Sequence, residues 1–371
     1  MRVATKTNPS VDHLFLVMLL LIVVFGLIML TSASSPIGYA QFGDIYYFSK
    51  RQLLFGFLPG MTLLLLAARV QASWWKKISG LIYLVSLILL FLVFIPGIGL
   101  TINGARSWIG LFGLTFQPAE LSKLALIMVM STMLSDPKRD LTDWKNGLMP
   151  ILIMTAPTIL LIGLQPDIGT LSILAIIIFG LLFLAGVKKI YLAVLGLVGL
   201  LAFGSLLVVA PYRVDRLTTF LHPELDPKGV GYQINQSFLA IGSGGLWGLG
   251  YGHSRQKYQY LPEVQADSVF AIIAEETGFI TCFLFIILVT FFGIRGLKIA
   301  KKAPDQFNRL LVGGIMIWFM WQFFLNIGSM IGLMPLTGVP LPFVSHGGSA
   351  LMIALFSGGI VLAVSRQARL E

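Results

Sequence analysis

LFLVMLLLIVVFGLIMLTSA, residues Leu14 to Ala33, runs for twenty positions without a charged side chain. At about 1.5 Å rise per residue, a helix of that length is about 30 Å long, the thickness of a bilayer's hydrocarbon core. Arg2 and Lys6 precede the run and the small residues Thr31, Ser32, Ala33 and Ser34 close it, as in a cleaved signal. The run is too long for a signal's apolar region and comparable runs follow it, so it reads as a retained first span.

Stretches of similar length recur about ten times: Leu14 to Ala33, Leu53 to Val70, Ile78 to Phe94, Pro118 to Leu134, Leu148 to Leu164, Ile168 to Val187, Ile190 to Ala210, Ser268 to Ile294, Leu310 to Met330 and Ser349 to Val364. Turn chemistry or charge separates them, as at Asp136-Pro137-Lys138-Arg139 and Gln165-Pro166-Asp167. The expected fold is therefore an all-α integral membrane protein of about ten spans, a single polytopic domain over residues 1–371. One long connection, approximately 211–266, interrupts it between spans seven and eight.

Composition agrees with lipid as the solvent. Hydrophobic residues make up 57% of the 371 and charged ones 11%, with mean hydropathy +0.88, too few polar side chains to cover a water-soluble globule. The net charge of +10 would suggest nucleic acid in a soluble domain, but here it follows topology. Alternating the connections puts Arg2 and Lys6, Arg69 to Lys77, Lys138 to Lys145, Lys188 and Lys189, Arg295 to Arg309, and Arg366 and Arg369 on one face. By the positive-inside rule that face and both termini are cytoplasmic, and no nucleic-acid partner is expected. Cys282 is the only cysteine, which excludes an intramolecular disulfide or a thiolate cluster and reads as packing.

The same alternation turns the unusual segments outward: the loop around Gly104-Ala105-Arg106-Ser107-Trp108, the Gln165-Pro166-Asp167 turn, Pro211 to Ala266, Asp267, and Pro335 to Gly348. Ionisable groups at membrane depth are costly and face a bundle interior or a wet cavity. Glu120 and Lys123, three apart, share a helical face. They read either as a buried ion pair fixing register, or as part of a cavity in which Lys123 and Arg106 offer charge to a phosphate. Asp167 reads as a helix N-cap or a site residue. Asp267 opens the eighth span after Arg255, Lys257, Tyr258, Tyr260 and Glu263, where water and membrane meet, and it too has a capping alternative. At least one of Glu275 and Glu276, two turns deeper, should be paired or protonated.

Gly242-Ser243-Gly244-Gly245 and Gly248 to Gly252 lack the strand and the Gly-Lys-Ser/Thr of a phosphate loop and read as flexible backbone near a ligand. Pro211 to Gln236, with Arg213, Asp215, Arg216, Glu224, Asp226 and Lys228, reads as a movable amphipathic segment at the interface. The prolines and glycines of Pro335 to Gly348 imply broken backbone, tolerable at membrane depth only against protein or a cavity. His222, His253 and His346 are scattered and show no metal-ligand spacing.

Six blocks taken together resemble one family. They are Gly104-Ala105-Arg106-Ser107-Trp108-Ile109 with Phe116 to Lys123, Gln165-Pro166-Asp167-Ile168-Gly169-Thr170, Ala240 to Gly245, Tyr260-Leu261-Pro262-Glu263, Ala274-Glu275-Glu276, and Gly338 to Ser349. The chain is similar to the SEDS family, the FtsW and RodA proteins of bacterial cell division and elongation, over nearly its whole length. Tyr46-Tyr47-Phe48 before Lys50-Arg51-Gln52 looks somewhat more like FtsW.

The resemblance implies ten spans in the bacterial cytoplasmic membrane. It also implies a peptidoglycan glycosyltransferase that uses lipid II and works with a class B penicillin-binding protein among divisome or elongasome membrane proteins. It assigns the essential acid to Asp267, and Arg106, Lys123, Glu120, Gln165, Asp167, Ser243, Ser345 and His346 from its blocks, with Lys257 from the charged segment before Asp267, are the candidate substrate-binding residues. Gln265-Ala266 and Ser268-Val269 depart from the acid's usual neighbours, and His346 stands where tyrosine is common.

Transfer from a prenyl diphosphate expels a stabilised anion, so one base suffices and a single displacement inverts the anomeric centre. Asp267 would be that base. The leaving charge would be met by Arg106 and Lys123 or by a divalent cation, Mg or Mn. The rival classes are a lipid II transporter, for which no internal symmetry is visible, and a non-catalytic division scaffold.

Overall fold

The computed structural model describes residues 11–102, 104–111, 114–209, 218–226 and 228–368. A helix stands on each of the ten apolar stretches: α1 His13–Phe42, α2 Tyr47–Arg69, α3 Ala72–Leu92, α4 Pro118–Leu134, α5 Trp144–Leu164, α6 Ile168–Leu184, α7 Lys189–Val209, α9 Val269–Lys301, α10 Gln306–Met330 and α11 Gly348–Ser365. Seven are long and apolar enough to cross a membrane on their own, while α6 and the first part of α7 are shorter apolar helices. The bundle's outer surface carries exposed Leu21, Leu81, Phe183, Leu200 and Phe283, an apolar rim suited to lipid.

The ends of these helices follow from local chemistry. Asp12 caps α1 by accepting from the Phe15 N–H, and Gly43, at φ +68°, closes it with a bond to the Tyr39 carbonyl. Pro118 starts α4 where no N–H is needed, and Asp305 caps α10. The Asp12 N–H also donates to Ser365 Oγ at 3.0 Å, and Asp12 pairs with Arg295 at 2.8 Å. The start of α1, the end of α11 and the basic end of α9 therefore share one face of the bundle. Arg2, Lys6 and Arg369 lie outside the described residues.

At the centre stand α10 and α11, each with 78% of its apolar window buried against 28 to 39% for the other long helices. Around α10 pack α9, α6 and α4, while α11 lies along α2 and α1 lies along α9. Phe292, Phe319 and Phe323 surround Phe343 with ring centroids 6.1, 5.0 and 6.4 Å away. That cluster holds Phe343 at φ +64°, a backbone conformation costing roughly 1–2 kcal/mol for a non-glycine residue.

Three outer segments differ from the expectation. Residues around Gly104 form a three-stranded antiparallel sheet, β1 Gly99–Ile102, β2 Ala105–Leu111 and β3 Leu114–Phe116, with Ile102 opposite Ala105 and Ile109 opposite Phe116. Part of the expected movable segment instead belongs to a helix, α8 Val230–Gly244, packed on α9 with Ile234, Ser237 and Ala240 buried. Its start is fixed by the Asp226 carboxylate, which accepts from the Gly229 and Val230 N–H groups. Arg213, Asp215 and Arg216 lie outside the described residues.

The glycine-rich run after α8 is built for close packing. Gly278 interrupts α9 at φ +75°, which would orphan the backbone groups on both sides of the break. Residues 245–250 satisfy them: Leu249 and Gly250 N–H groups donate to the Glu275 and Glu276 carbonyls, and the Phe279 and Ile280 N–H groups donate to the Gly245 and Leu246 carbonyls, at 2.9 to 3.2 Å. Side chains at Gly244 and Gly248 would collide with the Ala274 and Glu276 carbonyls. At Gly244 and Gly248 the reading of flexible backbone near a ligand is thus replaced by one of tight contact, whereas Gly242, Gly245 and Gly252 have open space at the Cβ position.

Candidate active site

Asp267 immediately precedes α9, at the end opposite Arg295. Ser268 occupies the N-cap position with no side-chain cap bond, so the capping alternative for Asp267 is not realised. Its carboxylate accepts from Gln233 Nε2 at 3.4 Å and Ser268 Oγ at 3.5 Å, both long. The residue keeps part of its surface exposed, while burial, joined by the charge of Glu263, pushes its pKa up to about 6. A part-exposed but poorly hydrated carboxylate behaves this way, because burial disfavours its charged form.

The backbone around Asp267 is held at three successive carbonyls. The His346 N–H donates to the Gln265 carbonyl at 2.8 Å, Ser345 Oγ donates to that of Ala266, and Asn326 Nδ2 donates to that of Asp267 at 2.8 Å. The non-helical segment 335–347 supplying two of these bonds is fixed in turn by amide side chains. Gln322 Nε2 donates to the Pro340 carbonyl, Asn326 Nδ2 to that of Val339 and Gln52 Nε2 to that of Ser345, while Gln52 Oε1 accepts from the Gly347 N–H, at 2.8 to 3.1 Å. Ser345 and His346 are thus beside the Asp267 backbone. The His346 ring packs edge-on against Phe48 at 5.0 Å, and burial, with Arg51 nearby, lowers its pKa to about 4, which leaves it neutral.

Glu120 and Lys123 reach the same segment from below. Lys123 Nζ lies 2.7 Å from Glu120 Oε1 and 3.1 Å from Gln322 Oε1, with the Trp318 ring centroid 4.8 Å away. A narrow cavity between Glu120, Gln322, Pro340 and Ser345 adjoins the pair. Lys123 itself is 1% exposed, so the expectation that it offers charge to a phosphate is not met in this structure; the ammonium is already surrounded by acceptors.

Other expected substrate contacts are also committed elsewhere. Lys257 is buried and bonds to Glu276 at 2.8 Å and Ser32 at 2.9 Å, while Glu275 accepts from Ser254 Oγ and from the Arg255 and Gln256 N–H groups. Lys257 therefore latches the outer loop to the broken helix. Asp167 caps α6, its two oxygens taken by the Thr170 N–H and hydroxyl at 2.9 and 2.7 Å. Gln165 is buried and donates to the Leu90 carbonyl, and Ser243 bonds within α8 to the Ala240 carbonyl. Gly169, at the start of α6, abuts Thr337 and Val339, which brings that turn against the segment beside Asp267.

Arg106 is half-buried on β2, donating to the Ile95 carbonyl at 2.9 Å. The sheet joins the same end of the bundle as Asp267, since the Gln117 N–H after β3 donates to Ser349 Oγ at the start of α11. Among the described residues, no three His, Cys, Asp or Glu side chains come together as a metal-ligand set. Gln52, Gln322 and Asn326 were not foreseen; their sequence signal is an uncharged amide inside an apolar span.

A bundle with an apolar rim and a cluster of polar and ionisable side chains at one end defines a multi-pass membrane protein with its candidate site at the bundle end. Residues 12–370 match the family model of FtsW, RodA and SpoVE, described as cell cycle protein, and the chain belongs to this family. It is 41% identical over 364 residues to Stage V sporulation protein E of Bacillus subtilis strain 168, covering 98% of this chain and 99% of that one. It is 40% identical to the probable peptidoglycan glycosyltransferase FtsW of Geobacter sp. strain M18, covering 96% and 97%.

Among solved structures, a chain from a peptidoglycan synthase complex of polymerization and crosslinking aligns with TM-score 0.79 at 28% identity, covering 98% of this chain and 99% of that chain. Thermus thermophilus RodA aligns with TM-score 0.71 at 28% identity and the same coverage. The protein is accordingly a multi-pass protein of the cytoplasmic membrane.

Proposed function

We propose that this protein is a peptidoglycan glycosyltransferase that polymerises lipid II at the outer face of the cytoplasmic membrane, with Asp267 as the general base. The observation that carries the reading is the state of Asp267. It is a part-exposed carboxylate beside the start of α9, with long side-chain hydrogen bonds and a pKa near 6, so it is largely ionised at neutral pH yet basic enough to take a proton. The family membership and relatives named for this activity support it.

In the proposed step, a hydroxyl oxygen of the acceptor sugar attacks the anomeric carbon of the donor. The new glycosidic bond forms as the bond to the diphosphate breaks, the hydroxyl proton passes to Asp267, and the lipid diphosphate departs as an anion. Arg106 is the cation assigned to that anion, because a guanidinium fork matches phosphate oxygens and Lys123 is enclosed. The described residues form no metal cage, and a Mg or Mn ion would draw most of its ligands from substrate oxygens and water.

A class B penicillin-binding protein is the proposed partner, in keeping with the solved synthase complex. The names of the curated relatives favour a role in division or spore formation over elongation. The test is polymerisation of labelled lipid II by the purified protein with its transpeptidase partner, with and without chelator. Strands should form with wild type and fail to form with Asp267→Ala. Export of lipid II without polymer would instead favour a transporter, and assembly with the partner but no polymer from wild type a scaffold.

A further inference from the structure

Asn326 lies in the middle of α10's outer half, 1% exposed. Its Nδ2 spends both hydrogens, one on the Asp267 carbonyl and one on the Val339 carbonyl, each at 2.8 Å, while its Oδ1 has no partner. A buried amide oxygen left unpaired carries a desolvation cost. A leucine of similar shape would avoid that cost, so the two donated bonds are what an asparagine contributes here.

Those bonds have a particular geometry. Of the three clamped carbonyls, those of Gln265 and Ala266 are held by His346 and Ser345, which sit on the same non-helical segment. Only the Asp267 carbonyl is tied directly to a continuous helix at the centre of the bundle. The same amide ties that segment, through Val339, to the same helix. Asn326 thus ties both Asp267 and the wall facing it, where Gly338 approaches the Asp267 carboxylate, to the same central helix.

We propose that Asn326 is a positioning residue for glycosyl transfer, acting through the Asp267 backbone to hold the carboxylate at proton-transfer distance from the acceptor hydroxyl. This inference rests on the proposed role of Asp267. A general base works only within hydrogen-bond reach of its proton, and a displacement of about 1 Å can cost about 100-fold in rate.

The experiment compares Asn326→Asp, which keeps shape but has no donor when ionised and one when protonated, and Asn326→Ser, which keeps one donor, with wild type in complex with the transpeptidase partner, using lipid II as the probe. The aspartate variant should lose about 10- to 100-fold in kcat with KM changed by less than about twofold, and the serine variant should fall between it and wild type. Folded fraction, read by gel filtration and thermal unfolding, normalises each rate, and the serine variant carries the test if the aspartate variant does not fold. Folded variants with wild-type kcat, or a loss that appears in KM alone, would overturn the inference. An inactive wild type would overturn the proposed function instead, so the two failures are distinguishable.

Discussion

Lys257 Nζ sits 2.8 Å from Glu276 Oε1, with the two side chains 2% and 0% exposed, and this pair joins the outer loop to the break in α9. Removing one partner leaves the other charge buried without compensation, which typically costs about 3–5 kcal/mol. Lys257→Ala should therefore lower the unfolding temperature of the detergent-solubilised protein markedly. Lys257→Met combined with Glu276→Gln should recover most of that loss, because neither charge then remains. Equal stability of Lys257→Ala and wild type would show the pair to be unimportant.

The break itself predicts a second effect. Gly278 has φ +75° and its Cβ position falls on the backbone of Trp247 and Gly248. Gly278→Ala should destabilise by more than about 1 kcal/mol and raise hydrogen exchange at the Leu249 and Gly250 amides, whose acceptors lie across the break. Unchanged exchange at those two amides would contradict the exchange of backbone bonds described above.

Glu120 and Lys123 give a third. Lys123→Met strands Glu120 beside Gln322 and should reduce stability by about 3–5 kcal/mol, whereas Lys123→Met with Glu120→Gln should lose far less. Thermal unfolding of the three variants measures this. A double variant as unstable as the single one would mean that Lys123 is held by Trp318 and Gln322 more than by its ion pair.

Asp267 couples stability to pH. Its folded pKa is raised to about 6 from an ordinary 3.8, so folding favours the protonated form. The stability it contributes is fully present below about pH 4 and is lost as pH rises through about 6. Asp267→Asn carries no such penalty. Relative to wild type it should gain thermal stability between pH 4 and pH 7, and a pH-independent difference between the two would contradict the raised pKa.

The helices were legible because lipid imposes a length and an apolarity that a one-dimensional pattern displays, and α4 begins and ends at the expected residues since Pro118 marks its start. The sheet was not legible: its strands are three to seven residues long, and their pairing depends on a turn at Gly104. Helix α8 was obscured by Gly231, Gly242 and Gly244, which weaken helix propensity, and exists because its apolar face packs on α9. The glycines after it could be read as freedom because their partners, the carbonyls of Ala274 to Glu276, come some thirty residues later. Asp267 was legible as an acid at the interface. That Lys123 and Lys257 are enclosed was not, because a charge does not announce its partner.

The central claim is tested most directly by the pH dependence of lipid II polymerisation with the protein and its transpeptidase partner. Wild type should gain activity as pH rises through about 6 and level off above it, with Asp267→Asn inactive throughout. Polymerisation by Asp267→Asn at a rate near that of wild type, or an acid limb unchanged in that variant, would contradict the assignment of Asp267 as the base.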